Sequence, residues 1–212
     1  MTRLTHFFHA YADGKFETPM RQHFTEVRDT GLLYALDSVR VGIVGSAVNR
    51  ARVLALLEEL VIPVTVVAVA DEGWEQVTLK QLHKFAKQDD GKIFYAHTKG
   101  AWSSDRMANP WRVSMIHDTV TRWKECVRAL DKLDTAGPFW QDSAMPEHEG
   151  HGRFFGGNFW WARSDYLARL PAIKNEHRFQ AEGWVGLGSP SVRIMREGYS
   201  TWGNFWGCDE NA

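Results

Sequence analysis

The chain has 212 residues and a formal net charge of −1, with 44% hydrophobic and 24% charged residues. That balance excludes a disordered chain, and it supplies no basic excess for holding a nucleic-acid backbone or an anionic membrane. The longest apolar run, residues 60–70, is interrupted by Pro63 and is too short to span a bilayer.

Charged and polar residues (Arg3, His6, His9, Asp13) occupy the start of the chain, where a signal peptide needs an apolar stretch, so a cytoplasmic location is expected. Two cysteines, Cys126 and Cys208, cannot build a disulfide framework or a four-cysteine metal site. Cys126 falls in a helical pattern and reads as a buried thiol. Ten Trp and twelve Phe are a marked aromatic content. Such rings suit a core, and they also suit clefts where flat rings pack on sugars.

In chain order, residues 4–11 read as a strand closed by Asp13-Gly14. Thr18-Pro19 starts a helix, with Thr as N-cap and Pro at the first helical position. Residues 39–45 are a β-branched run ending in glycine, followed by a helix over 49–60. Residues 64–70 form an unbroken β-branched run, which predicts a strand buried on both faces. A helix over 75–87 and a strand over 92–96 complete a strand–helix–strand–helix–strand order. That order predicts an α/β fold with a mostly parallel, Rossmann-like sheet flanked by helices. Asn109-Pro110 opens a long helix to about 133; strands follow over 134–140 and 154–161, then a helix over 164–170. No linker separates these elements, so residues 1–212 read as one domain, with a nucleotide-binding half to about 105 and a sugar and acceptor half beyond it.

Ligands of open parallel sheets collect at the carboxyl ends of the strands, and polar residues fall at those ends. Gly42-x-x-Gly45 resembles a phosphate loop, although a tight strand-to-helix turn accounts for it equally well and both further motif features are missing. Asp71 and Glu72 close the third strand, where a carboxylate can accept two hydrogen bonds from a nucleoside or serve a helix N-terminus. His97-Thr98-Lys99-Gly100 gathers an imidazole, a hydroxyl and a cation, and Lys99 suits a leaving diphosphate. Arg112, just after a helix start, could reach a phosphate with two hydrogen bonds. Glu147, His148, Glu149 and His151 match no closed zinc site and read as a loop.

Gly156-Gly157-Asn158-Phe159-Trp160-Trp161 is the most specific stretch. Paired glycines admit a ligand to the backbone, and Asn158 offers a donor and an acceptor to a sugar hydroxyl. Consecutive Trp160 and Trp161 point to opposite faces, one to a core and the other to a second layer or a cleft. Glu182, beside Trp184, is a candidate base, because an apolar neighbour raises a carboxylate's proton affinity.

Together these residues resemble a family of small GT-A-type glycosyltransferases of bacteria, phages and large viruses. The resemblance is carried by residues 7–14, 41–45 with Asn49-Arg50, 95–100, Trp111-Arg112, 134–137, 157–163 and 181–184. It implies an enzyme that moves a sugar from a UDP- or GDP-sugar donor to an acceptor hydroxyl on a glycan, protein or other molecule. Gly45, Asp71, His97, Lys99 and Arg112 would lie near the donor. Gly157, Asn158, Trp160 and Trp161 would lie near the sugar. Glu182 would deprotonate the acceptor in an inverting reaction or orient it in a retaining one.

The Asp-x-Asp that commonly holds Mn²⁺ or Mg²⁺ in GT-A enzymes is missing. Asp134 and Asp142 are the remaining metal candidates, and His97, Lys99 or Arg112 could supply the positive charge instead. Two alternatives stand beside the transferase: a non-catalytic carbohydrate- or nucleotide-binding module, and, ranked last, a nucleotidyltransferase.

Overall fold

The computed structural model describes residues 2–102, 107–141, 153–174 and 180–197. Its centre is a seven-stranded sheet in the order β3-β2-β1-β4-β8-β5-β9. The strands are β1 (Leu4–Tyr11), β2 (Ser38–Val44), β3 (Thr65–Ala70), β4 (Lys92–His97), β5 (Thr135–Pro138), β8 (Trp160–Arg163) and β9 (Val192–Arg196). Short β6 (Trp140–Gln141) and β7 (Phe154–Phe155) pair separately. Only β8 runs against its neighbours; the other six point the same way. This is the mostly parallel α/β sheet expected from the element order.

Strand β1 is central because its sequence is apolar on both faces. Its even positions, including Phe8 and Ala10, join the larger core, and Phe7 joins the smaller one. The larger core lies under α1 (Glu17–Asp29), α3 (Ala47–Glu59), α5 (Ala108–Ile116) and α6 (Trp123–Ala129). The smaller core lies under α4 (Gln76–Ala86) and α7 (Ser164–Ala168). A four-residue helix, α2 (Leu32–Ala35), precedes β2.

Several expectations are revised. Strand β3 is the sheet edge and is not buried on both faces; Val66 and Val69 are 42% and 61% exposed. Its apolar run is that of a parallel strand, but it has a neighbour on one side only. The long helix after Asn109 is interrupted by a π-turn at His117–Thr121. There the buried Asp118 carboxylate accepts hydrogen bonds from Arg196 (Nε, 2.6 Å) and Arg122 (Nη1, 3.5 Å). The strand expected over 154–161 is broken by a turn in which Gly157 (φ 86°) and Asn158 (φ 57°) are left-handed. Strand β9 escaped the sequence reading, because Val192, Ile194 and Met195 alternate only weakly with the arginines between them. No helix among the described residues is long and apolar enough to cross a membrane.

Candidate functional site

The carboxyl edge of the parallel strands carries two polar clusters. The first sits beyond β1, β2 and β3. The Asp13 carboxylate accepts hydrogen bonds from the Ser46 backbone N–H (2.9 Å), the Ser46 hydroxyl (2.9 Å) and the Asn49 side-chain amide (2.9 Å). Those bonds, led by that of Asn49, hold its proton affinity below the usual carboxylate range. Arg50 donates to the Gly45 and Ala70 carbonyls and pairs with Asp71 at 2.5 Å. Gly45 is needed at φ 136°, where an added Cβ would press on the Asp13 carboxylate. Its N–H donates to the Ala70 carbonyl. The glycine therefore serves the turn and makes room for Asp13. The Tyr11 and Trp102 rings meet edge-on at 5.6 Å beside this cluster, and Trp102 is exposed.

The second cluster sits beyond β4. Glu75, the residue preceding α4, accepts hydrogen bonds at one carboxylate oxygen from the Tyr95 hydroxyl (2.9 Å) and the Asn158 amide nitrogen (2.6 Å). The Asn158 amide oxygen accepts from the Trp160 indole N–H at 2.7 Å, which settles which way the amide faces. The same amide nitrogen lies 3.4 Å from the Ala181 carbonyl in α8 (Gln180–Gly183), next to Glu182. His97 donates from Nε2 to the Gly157 carbonyl (3.0 Å) and turns Nδ1 toward the second Glu75 oxygen at 3.5 Å. Burial first, then the Lys99 charge, pushes the His97 imidazole down to about 3, so the ring is neutral near neutral pH. Glu182 opposes that shift electrostatically, and it follows Ala181, whose carbonyl meets the Asn158 amide. Lys99 Nζ lies 3.8 Å from the centroid of the Trp111 ring.

Residues 13–183 match the family described as a domain of unknown function, DUF8361. The chain belongs to this family. No curated protein matches it. Among solved structures, it is similar to a protein assigned as a nucleotide-diphospho-sugar transferase from Desulfovibrio desulfuricans G20, at 13% identity and a TM-score of 0.50, over 93% of this chain and 81% of that one. It is similar to 4-diphosphocytidyl-2C-methyl-D-erythritol synthase from Anaerococcus prevotii DSM 20548, at 10% identity and a TM-score of 0.50, over 93% and 90% of the two chains. HddC from Yersinia pseudotuberculosis matches at 9% identity and a TM-score of 0.52, over 93% and 91%. At such identities the likeness is one of fold: the sheet is arranged as in these proteins, a GT-A-like α/β fold.

Of the sequence-derived candidates, Gly45 and Asp71 fall in the first cluster, and His97, Gly157, Asn158 and Glu182 meet in or beside the second. Several side chains have other duties than those expected. Trp160 and Trp161 are both fully buried, Trp160 stacked on Tyr95 and Trp161 on Phe94, so neither offers a face to a sugar. They sit on opposite faces of the sheet, and both faces are covered by helices. Asn158 is fully buried as well, and its amide is committed to Glu75 and Trp160.

Arg112 is buried and donates to Gln22, Asn109 and the Lys99 carbonyl, so that in this structure it braces the Lys99 turn. Asp134 lies at the start of β5, on the opposite edge of the sheet from His97. Its carboxylate is held by Ser191 and Arg163, so it does not fit as a metal ligand at this site. Asp142 and residues 147–151 lie outside the described residues. No group of three or more metal-binding side chains occurs among the described residues. Glu75 and Asp13 were missed. Asp13 had a usable signal, standing directly after the first strand, but Glu75 had none beyond its place at a helix start.

Proposed function

We propose that this protein is a glycosyltransferase that moves a sugar from a nucleotide-sugar donor to an acceptor hydroxyl. The observation that carries the reading is the meeting of Glu75, His97 and Asn158 at the carboxyl edge of a GT-A-like sheet, with Lys99 two residues after His97 and Glu182 beside the Ala181 carbonyl that meets Asn158. The cluster around Asp13, Ser46, Asn49 and Asp71 suits the nucleoside, because carboxylates and amides there can exchange their present hydrogen bonds for those of a ribose or base. Lys99 suits the diphosphate, whose charge grows as the nucleotide leaves. Glu182, which makes no hydrogen bond or ion pair among the described residues, is assigned to the acceptor. Gly157 shapes the wall of this site through its carbonyl hydrogen bond to His97. UDP- and GDP-sugars are the expected donors. Among the described residues no group of three or more side chains could hold a metal ion.

The test is a thermal-shift screen against UDP-, GDP-, CMP- and dTDP-sugars, and against CTP and GTP, each with and without Mn²⁺. A ligand at a hundred times its dissociation constant stabilises by about 2.7 kcal/mol, a visible rise in melting temperature. A response to one nucleoside diphosphate sugar that Lys99→Ala abolishes is the expected outcome. A response to triphosphates alone would point to nucleotidyl transfer, and a response to free sugars without any donor turnover would point to a binding module.

A further inference from the structure

The gap between Glu75 and His97 has an electronic peculiarity. His97 Nε2 lies 3.0 Å from the carbonyl oxygen of Gly157. A carbonyl only accepts, so Nε2 carries the hydrogen and the neutral ring turns its Nδ1 lone pair outward. That lone pair faces Glu75 Oε1 at 3.5 Å. The other oxygen, Oε2, is already held by Tyr95 and Asn158. Two acceptors therefore point into one space, and among the described residues neither receives a hydrogen bond there. Such a space is complementary to one proton or one hydroxyl donor. The site is also built: Asn158 is locked by Trp160, and Tyr95 is packed under it, so Glu75 cannot easily swing away.

We propose that Glu75, with His97 beside it, is the catalytic pair that receives the proton of the attacking acceptor hydroxyl, an inference that rests on the transferase reading above. In the step, the acceptor O–H bond breaks and its proton passes to Glu75 Oε1. The freed electron pair forms the bond from the acceptor oxygen to the anomeric carbon. The bond from that carbon to the phosphate oxygen breaks, and its electron pair leaves with the nucleoside diphosphate. The protonated carboxyl then donates a hydrogen bond to the neutral His97 Nδ1, which steadies it until solvent removes the proton from Glu75.

The surroundings favour this division of labour. The Tyr95 hydroxyl on β4 donates to Glu75, and His9 on β1 feels the charges of Glu75 and His97; Lys99, Arg112 and Glu182, from the β4 turn, α5 and α8, act electrostatically on His97, which acts in turn on His23 of α1. His9 is tied to the Thr78 hydroxyl (2.8 Å), and the Lys99 and Arg112 charges disfavour an imidazolium, which leaves the Nδ1 lone pair available. Glu182 lacks comparable anchoring and is left to orient the acceptor.

The experiment uses the full chain and two readouts. Nitrogen NMR of the histidine rings reports the hydrogen position on His97 without any substrate. Release of UDP or GDP from the donor found in the thermal screen, with water as acceptor, reports the chemistry. The expected results are an Nε2–H tautomer in the wild type and, in Glu75→Gln, a change of the His97 Nδ1 resonance as the new amide donates to it. Glu75→Gln should also lose about 10²–10⁴-fold in turnover with donor affinity kept within about twofold. An Nδ1–H tautomer in the wild type, or Glu75→Gln turnover within about threefold of the wild type, overturns the inference. Donor binding with a loss confined to Glu182→Gln does the same while leaving the transferase reading intact. No donor response at all sinks both together.

Discussion

Asn158 shows how one side chain can organise a site without entering it. Its backbone is left-handed (φ 57°), a conformation asparagine tolerates better than most residues. Its amide connects Glu75, Trp160 and the Ala181 carbonyl across three separate segments. Asn158→Ala removes those bonds, leaves the Trp160 indole without its acceptor and keeps the strained backbone. It should cost about 2–4 kcal/mol in urea unfolding, and donor turnover should fall even where the variant stays folded. Asn158→Asp retains an acceptor for Trp160 but sets a second carboxylate against Glu75, so it should be no better than alanine; a near-wild-type Asn158→Asp would refute the proposed arrangement. The Gly-Gly-Asn pattern made Asn158 legible in the sequence, although as a sugar ligand. Glu75 was not legible, since it is one of 26 acids and its significance comes from partners distant in the chain.

At the scale of elements, α4 is seated by a missing side chain. Gly42 in β2 lies so close to α4 that an added Cβ would run into the Thr78 hydroxyl. Gly42→Ala should push α4, and Glu75 at its start, away from the sheet at a cost of about 1–3 kcal/mol. Thr78→Ala should recover part of that loss in a double-mutant cycle, whereas purely additive effects would rule out the contact. The other seat is Asp118 at the π-turn, which holds β9 through Arg196. Removing one partner of a buried ion pair leaves the other uncompensated, so Asp118→Ala should cost about 3–5 kcal/mol by chemical denaturation. A cost under about 1 kcal/mol would mean that β9 is held by its strand pairing alone. The glycine after a β-branched run was visible from the sequence. The π-turn was not, because nothing in the apolar spacing of residues 108–129 announces an extra residue in the turn.

For the molecule as a whole, histidines that burial keeps neutral shape its response to acid. His6, His9, His23 and His83 are buried and His97 is mostly so, and burial lowers their proton affinity, to about 3 for His6 and His97 and about 4 for His9. In the unfolded chain each should titrate near its ordinary value of about 6.5. Between the two values the unfolded state binds protons that the native state refuses. Stability is thus fully present above pH ~7 and declines as the pH falls toward 4, by about 1.4 kcal/mol per pH unit for each such histidine. Denaturant midpoints should therefore drop markedly from pH 7.5 to 5.5; a flat profile would show that these rings are hydrated.

The sequence by itself determined the strand and helix order of the first half and the mostly parallel sheet, because alternation and β-branched runs are local signals that burial reads directly. It also determined that polar residues cap the strands, since a chain that buries its strands must place its charges at their ends. Only the tertiary structure decided that β3 is an edge, that both tryptophans of the Gly-Gly-Asn segment are core, and that β8 enters in reverse between β4 and β5. That reversed insertion brings Asn158 to Glu75, 83 residues earlier in the chain. Strand pairing between distant segments depends on which apolar faces find each other, and no local pattern records that choice.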